Sequence, residues 1–281
     1  MRFRSIFMKK YIEIFILLIL FISCNKEEFS VRNLNGNKII ILGHGGMGIE
    51  QTYPMDTYES ILKCINTGAD GTEIDVQLTK DSVLIAYHSK DFSDNTNLKG
   101  LVNDLNWNDI KNGYYTITPY LNYSIISLEE LFSNIHNIHN YKFTFDCKLH
   151  TNSINTVAFQ DSYINAISDI IDKYNLQDNV YIESHNIDFL KKLQEINTDF
   201  KLFIYPSSFE KGLELAIDND LFGITISTDD ISKEQIETAH INNLYVAVWN
   251  TNSKNKNIEA VKKNPDFIQT DRVEHLIKIL K

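Results

Sequence analysis

The segment GTEIDVQL sets two acids, Glu73 and Asp75, two residues apart. In extended backbone successive side chains point to opposite faces, so both carboxylates project to one side while Ile74 and Val76 project to the other. Confining two like charges away from water is costly unless a proton or a cation compensates them, and a hard divalent ion with oxygen ligands does so. The same parity in FTFDCKL puts Thr144, Asp146 and Lys148 on one face and Phe143, Phe145 and Cys147 on the other. Asp146 is placed to complete a three-carboxylate metal site, and Lys148 to meet a phosphate oxygen as a point charge. All of these ligands are oxygens, with no thiolate or clustered histidine among them, so the expected cofactor is Mg2+ or Ca2+. Cys147, on the apolar face, reads as a packed structural thiol.

Two histidines directly follow strand-like runs, His44 after IIILG and His88 after VLIAY. Histidine titrates near neutrality, so a pair at one rim suits general base and general acid catalysis. Glycines at 45, 46 and 48 either let backbone amides approach a phosphate or simply make a turn. His136 and His139 in HNIHN have ligand-like i, i+3 spacing but fall at an apparent helix end, where a solvated or capping role is expected. His150, His185 and Glu183 lie near strand ends with no motif that assigns them.

Short apolar runs fit strands at 38–42, 71–78, 142–148, 179–183, 200–204, 222–226, 244–249 and 266–269. Between most of them lie segments with helical spacing, such as SYINAISDIIDKYN, NIDFLKKLQEIN and SKEQIETAHI. Alternation makes the class α/β, and eight units favour a closed (β/α)8 barrel of the TIM type over an open doubly wound sheet. Such a barrel carries its active site at the C-terminal ends of the strands, where both histidines fall. The interval from 78 to 142 is longer than one helix requires. It holds a short apolar piece at 83–87, the turn-prone DFSDNTNLKG, and helix signals near Trp107 and Leu128. A small insertion between barrel strands 2 and 3, lying over one rim, is therefore expected.

The net charge of −10 argues against extended nucleic-acid binding. A small phosphoester would bind only where a metal or a local lysine reverses the field. Near the N-terminus, Lys9 and Lys10 precede an unbroken apolar run at 14–22, too short to span a bilayer and consistent with a signal peptide at 1–23. The run ends in Leu20-Phe21-Ile22-Ser23-Cys24, which resembles a bacterial lipobox and makes Cys24 an expected acyl anchor. The following Asn25-Lys26-Glu27-Glu28 resembles the acidic export tag of surface lipoproteins. Residues 24–37 read as a lipidated tether and 38–281 as the catalytic domain. Only Cys64 and Cys147 remain, so no disulfide framework is indicated.

In order along the chain, His44-Gly45-Gly46, GADGTEIDVQLTKD, His88, NDLNW, SLEELF, Asp146-Cys147-Lys148, VAVWNTNS and IQTDR resemble the glycerophosphodiester phosphodiesterases, over about residues 38–272. That resemblance implies a (β/α)8 barrel, a divalent cation and two histidines that cleave a glycerol or lipid-headgroup phosphodiester to glycerol 3-phosphate and an alcohol. It matches His44 and His88 to the acid/base pair, Glu73 and Asp75 to two metal ligands, Asp146 and Lys148 to the family's usual Glu and Lys, and Trp249 to a pocket aromatic. Two departures stand out. The family's arginine after the first histidine is Gly45, and in its Pro-Glu-Asn-Thr motif Met55 and Asp56 replace the central pair. Loss of the guanidinium removes a bidentate phosphate clamp. Two other readings follow from the same residues: a phospholipase-like or cyclising phosphodiesterase acting on lipid headgroups, and a non-catalytic surface protein that binds phosphoesters. The expected location is the bacterial cell envelope, lipid-anchored and facing the periplasm or the cell surface. The headgroup and the oligomeric state stay open.

Stable lipoprotein anchoring uses several acyl chains, because a single chain binds a membrane weakly. Replacing Cys24 by Ser is therefore expected to release the protein from the membrane fraction or to block its maturation. A Cys24→Ser variant that fractionates like wild type contradicts the anchor.

Overall fold

The computed structural model describes residues 28–49 and 52–281. The apolar run, the expected signal peptide and Cys24 lie outside the described residues. Strand β1 (Ile40–Gly43) starts a parallel ladder that returns to itself through β2 (Gly71–Leu78), β5 (Lys142–Cys147), β6 (Val180–Ser184), β7 (Lys201–Ile204), β8 (Gly223–Ser227), β9 (Tyr245–Thr251) and β10 (Phe267–Thr270), which pairs with β1. The eight expected strands thus form a closed barrel. Closure leaves no strand edge exposed, and helices cover its outer wall.

Those helices are α1 (Tyr58–Thr67), α4 (Thr156–Tyr174), α5 (Ile187–Ile196), α6 (Phe209–Asp218), α7 (Lys233–Ile241), α8 (Lys254–Lys263) and α9 (Val273–Leu280), one after each barrel strand except β2. Their starts are written in the sequence. Thr57, Asn155, Asn186, Ser208, Ser232 and Ser253 each cap a first turn by accepting an amide hydrogen bond.

The strand parity read from the sequence divides the core in two. Ile74, Val76, Phe143, Phe145 and Cys147 point outward and pack beneath the helices, where Phe132 lies 5.1 Å from Phe143 and 6.1 Å from Phe145 between ring centroids. The Tyr163 hydroxyl donates to the Val76 carbonyl. Burial pushes the Cys147 thiol well above its ordinary value, which fits an inert packed cysteine. Inside the barrel, Leu42, Tyr181, Phe203, Ala247 and Phe267 form an apolar floor, with Tyr181 and Phe267 at 4.8 Å. This floor closes the barrel below the site and keeps water from reaching it from that end.

After β2 the chain makes the expected excursion. Strand β3 (Leu84–Ala86) turns back antiparallel to β2, and β4 (Ile126–Ser127) pairs with β3. Short helices α2 (Trp107–Ile110) and α3 (Leu128–Ser133) lie where helix signals were read. The excursion has its own core of Ile85, Tyr87, Phe92, Val102, Ile110, Tyr115 and Ile125. β5 occupies one flank of β2, and β1 pairs only with Gly71 and Thr72 on the other. β3 fills that second flank higher up, opposite Val76 to Leu78.

The tether departs from expectation. The Arg32 amide donates to Asn264 Oδ1, Asn33 Nδ2 to the carbonyls of Lys38 and Pro265, the Leu34 amide to Asp266 Oδ1, and Asn35 Nδ2 to the Asp266 carbonyl. Asn33 and Asn35 satisfy carbonyls before β1 and β10, so residues 32–37 pack as part of the domain. Among the described residues no helix is long and apolar enough to cross a membrane.

Candidate active site

Glu73 and Asp75 on β2 and Asp146 on β5 enter the barrel lumen above the apolar floor. The ladder places Asp75 directly beside Asp146, and Asp146 beside Glu183 on β6. Glu73, Asp75 and Asp146 are buried, with one oxygen of each within 4.8 Å of the others. Burial pushes the Glu73 carboxyl well above its ordinary value, and the neighbouring Asp75 and Asp146 add to the effect. Asp146 is also raised by burial, partly offset by Lys148. Burial alone would raise Asp75 too, but Lys148 and His88 hold it below the ordinary carboxylate value. The Lys148 ammonium lies 2.8 Å from Asp75 and 2.5 Å from Asp146. It covers two of three acids, and Asp75 Oδ2 remains buried with no partner. An all-oxygen donor set with an orphaned carboxylate oxygen fits a hard divalent cation.

His44 follows β1 and is turned by a glycine-rich loop. Its Nδ1 lies 2.8 Å from Asp271 Oδ1, just past the end of β10. A carboxylate there fixes the proton on Nδ1 and leaves Nε2 as the atom able to exchange one. Burial lowers the His44 value, but the hydrogen bond and charge of Asp271 outweigh it and the net shift is upward. The loop amides are committed inward: Gly45 N–H donates to Glu73 Oε2 at 2.8 Å and Gly46 N–H to Thr72 Oγ1 at 3.0 Å. They orient the acid beneath them rather than facing a phosphate. Gly45 (φ 54°) and Gly48 (φ 100°) are left-handed, and a Cβ on Gly48 would come within 2.3 Å of the Asp271 backbone. Glycine at 48 thus lets the loop close over Asp271.

His88 reaches the rim by a different route from the one its sequence position suggests. It follows β3 rather than a barrel strand, and β3 runs back along β2 until the Tyr87 amide meets the Asp75 carbonyl at 2.9 Å. The doubling back brings His88 close enough to Asp75 for its positive charge to favour the ionised carboxylate.

Asp56 and Asp271 were not assigned from sequence. Asp56 plugs the gap on β2 between its pairings with β1 and β3: its Oδ1 accepts the Asp75 amide at 3.0 Å, and its own amide donates to the Gly45 carbonyl. Burial, with Asp75 and Glu73 beside it, pushes its carboxyl well above the ordinary value. Nothing local in PMDT announces this, because the gap arises only when β1 and β3 share one flank. Asp271 had a weak signal, as a polar residue immediately beyond a barrel strand.

Next to Asp146 on β6, Glu183 reaches across the lumen: its Oε2 accepts from Thr225 Oγ1 at 2.6 Å, and Gln269 Nε2 donates to both its oxygens. Trp249 lines the lumen above, edge-on to Tyr205 at 5.5 Å, and its Nε1 has no partner. His185 stacks on Tyr205 at 3.8 Å and donates Nδ1–H to that residue's carbonyl. His136 and His139 are exposed and away from these acids.

The sequence profile of the Glycerophosphoryl diester phosphodiesterase family matches residues 47–275. A glycerophosphodiester phosphodiesterase of Caldanaerobacter subterraneus subsp. tengcongensis is 24% identical over 87% of this chain and 98% of its own. One from Bacillus altitudinis is 22% identical over 83% of this chain and 95% of its own. Solved structures share the fold. An Oleispira antarctica phosphodiesterase in complex with the product sn-glycerol-3-phosphate has TM-score 0.74 at 17% identity, covering 85% of this chain and 95% of that one. A glycerophosphodiester phosphodiesterase from Parabacteroides distasonis has TM-score 0.71 at 19% identity, covering 86% and 97%.

Glu183 yields a prediction. Burial, then Asp146, raises it from 4.5 to about 8. Between those values the folded chain holds a proton that the unfolded chain has released, so this residue makes stability fall as pH rises through that window. In protein stripped of divalent ions, the Tm of Glu183→Gln, which keeps an acceptor for Thr225, is expected to fall less between pH 5 and about pH 8 than that of wild type. Parallel Tm profiles contradict the assignment.

Proposed function

Because the chain belongs to the glycerophosphoryl diester phosphodiesterase family, we propose that it hydrolyses glycerophosphodiesters to glycerol 3-phosphate and an alcohol, with Glu73, Asp75 and Asp146 holding a divalent cation and His44 and His88 moving the protons. The observation that carries this reading is the meeting of three buried carboxylates with an orphaned oxygen and a histidine oriented by Asp271 at one mouth of the barrel. Mg2+ or Ca2+ bound there supplies positive charge that offsets charge developing on the phosphate and fixes its orientation.

The chain's own residues do the rest. Asp271 holds His44 by its Nδ1 and leaves Nε2 as the atom that exchanges a proton. Gly45 N–H keeps Glu73 aimed, and Asp56 keeps the β2 backbone in register at Asp75. Lys148 balances the acids and lies within reach of a phosphate oxygen bound against them. Trp249 offers an apolar face and an unpartnered indole N–H to the substrate's organic part. A protein that only bound phosphoesters would need no such oriented imidazole. We further infer, from the apolar run and Ser23-Cys24, that the enzyme works lipid-anchored at the cell envelope, where lipid-derived diesters are close by.

General acid and base groups typically contribute about 10² to 10⁴ each in rate. His44→Ala and His88→Ala are expected to lower kcat on glycerophosphocholine by that order, followed by phosphorus NMR, with Tm and metal affinity close to wild type. The double variant should be little worse than the poorer single one if both act in one transfer. Turnover within a few-fold of wild type in both single variants removes the pair from the mechanism.

A further inference from the structure

A phosphate oxygen entering this site needs hydrogen-bond donors, and most candidates are already engaged. Gly45 and Gly46 donate inward, the Met47 amide donates to Ser60 Oγ at 2.9 Å, and the Ile49 amide to Asp271 Oδ1 at 3.1 Å. No guanidinium follows His44. A side chain on Gly45 would meet Met55, whose Cβ and Cε both lie 2.7 Å from the Cβ position. Arg272 donates Nε to the Asn252 carbonyl and is exposed. Lys148 is shared between Asp75 and Asp146, and His44 Nδ1 is taken by Asp271.

Besides the Trp249 indole, whose N–H faces the substrate's organic part, a second ring at the rim keeps unused capacity. His150 lies three residues past the end of β5, and its Nδ1 is out of water with no partner. An unpaired buried polar atom is destabilising, and a ligand oxygen would offset that. The loop that carries it is fixed on both sides. The Lys148 amide donates to the Val76 carbonyl, Thr151 Oγ1 to Asn103 Oδ1 at 2.8 Å and Asn152 Nδ2 to Asp104 Oδ2 at 3.0 Å. Asn103 is itself tied to the carbonyls of Leu78 and Thr79. The excursion thus holds His150 in place against the end of β2. Burial and the positive charges of Lys148, Lys90 and His88 outweigh the opposing charge of Asp75 and hold its value below that of ordinary histidine, which favours the uncharged ring.

We propose that His150 is a phosphate-binding residue, its ring donating to a non-bridging oxygen of the substrate, with Lys90 adding to the attracting field, in place of the arginine that Gly45 leaves out. This rests on the phosphodiesterase reading and names a contact that reading lacks. Charge comes from Lys148 and Lys90, and direction from the imidazole.

The test is calorimetric binding of glycerol 3-phosphate to the full chain in Mg2+, with Mg2+ affinity and Tm measured alongside. His150→Ala is expected to weaken binding roughly 10- to 100-fold, the worth of one hydrogen bond to a charged oxygen, with Mg2+ affinity unchanged. His150→Gln, which retains an N–H donor, should recover most of the loss and also serves if the alanine variant fails to fold. Equal affinity in wild type and both variants overturns the inference and leaves the enzymatic reading standing. A wild type that binds Mg2+ but no glycerol 3-phosphate overturns both.

Discussion

The structure is organised by the repulsion among carboxylates gathered at one mouth of the barrel. Glu73, Asp75, Asp146, Glu183 and Asp56 are all buried within one region, and in a low dielectric such charges cannot all remain ionised without compensation. Lys148 answers part of this, Thr225 and Gln269 hydrogen-bond Glu183, and burial favours a proton on Asp56. Among the described residues, the buried Oδ2 atoms of Asp56 and Asp75 remain without hydrogen-bond partners, and the one on Asp75 gives the proposed cation its place.

Much of the surrounding backbone serves to hold that arrangement. The apolar floor closes the barrel beneath the acids, and the Gly45 amide and Asp56 fix Glu73 and the Asp75 backbone. Two loops converge where β10 meets β1, and there Asp271 ties His44 into one tautomer. The excursion after β2 supplies what a plain barrel lacks. It brings His88 down beside Asp75 and holds the loop carrying His150. It is joined to the barrel by main-chain hydrogen bonds to β2 and by Phe132, which packs against Phe143 and Phe145 of β5, and it keeps a small core of its own.

Most of the eight strands were legible because they are buried on both faces and read as short apolar runs closed by turn residues, while β2 and β5 showed instead by their alternation. The inward set of β2 and β5 was legible because strand parity fixes facing without knowledge of neighbours. What was not legible depends on pairing between distant segments. Asp56 has a role only because β1 and β3 leave an amide of β2 unpaired between them. Asp271 needs His44 across the closure of the barrel. The polar stretch before β1 reads as linker in composition, yet Asn33 and Asn35 find carbonyls at the barrel base. The glycines after His44 read equally as a phosphate cradle or a turn, and only the inward hydrogen bonds of their amides decide for the turn.

The buried acids demand a counter-charge, and the proposed chemistry depends on that charge being a removable divalent ion. The direct measurement is phosphorus NMR of glycerophosphocholine incubated with chelator-treated protein, before and after Mg2+ or Ca2+ is returned. No hydrolysis in chelator and recovery on adding the ion is the expected result. Full hydrolysis in excess chelator would contradict it.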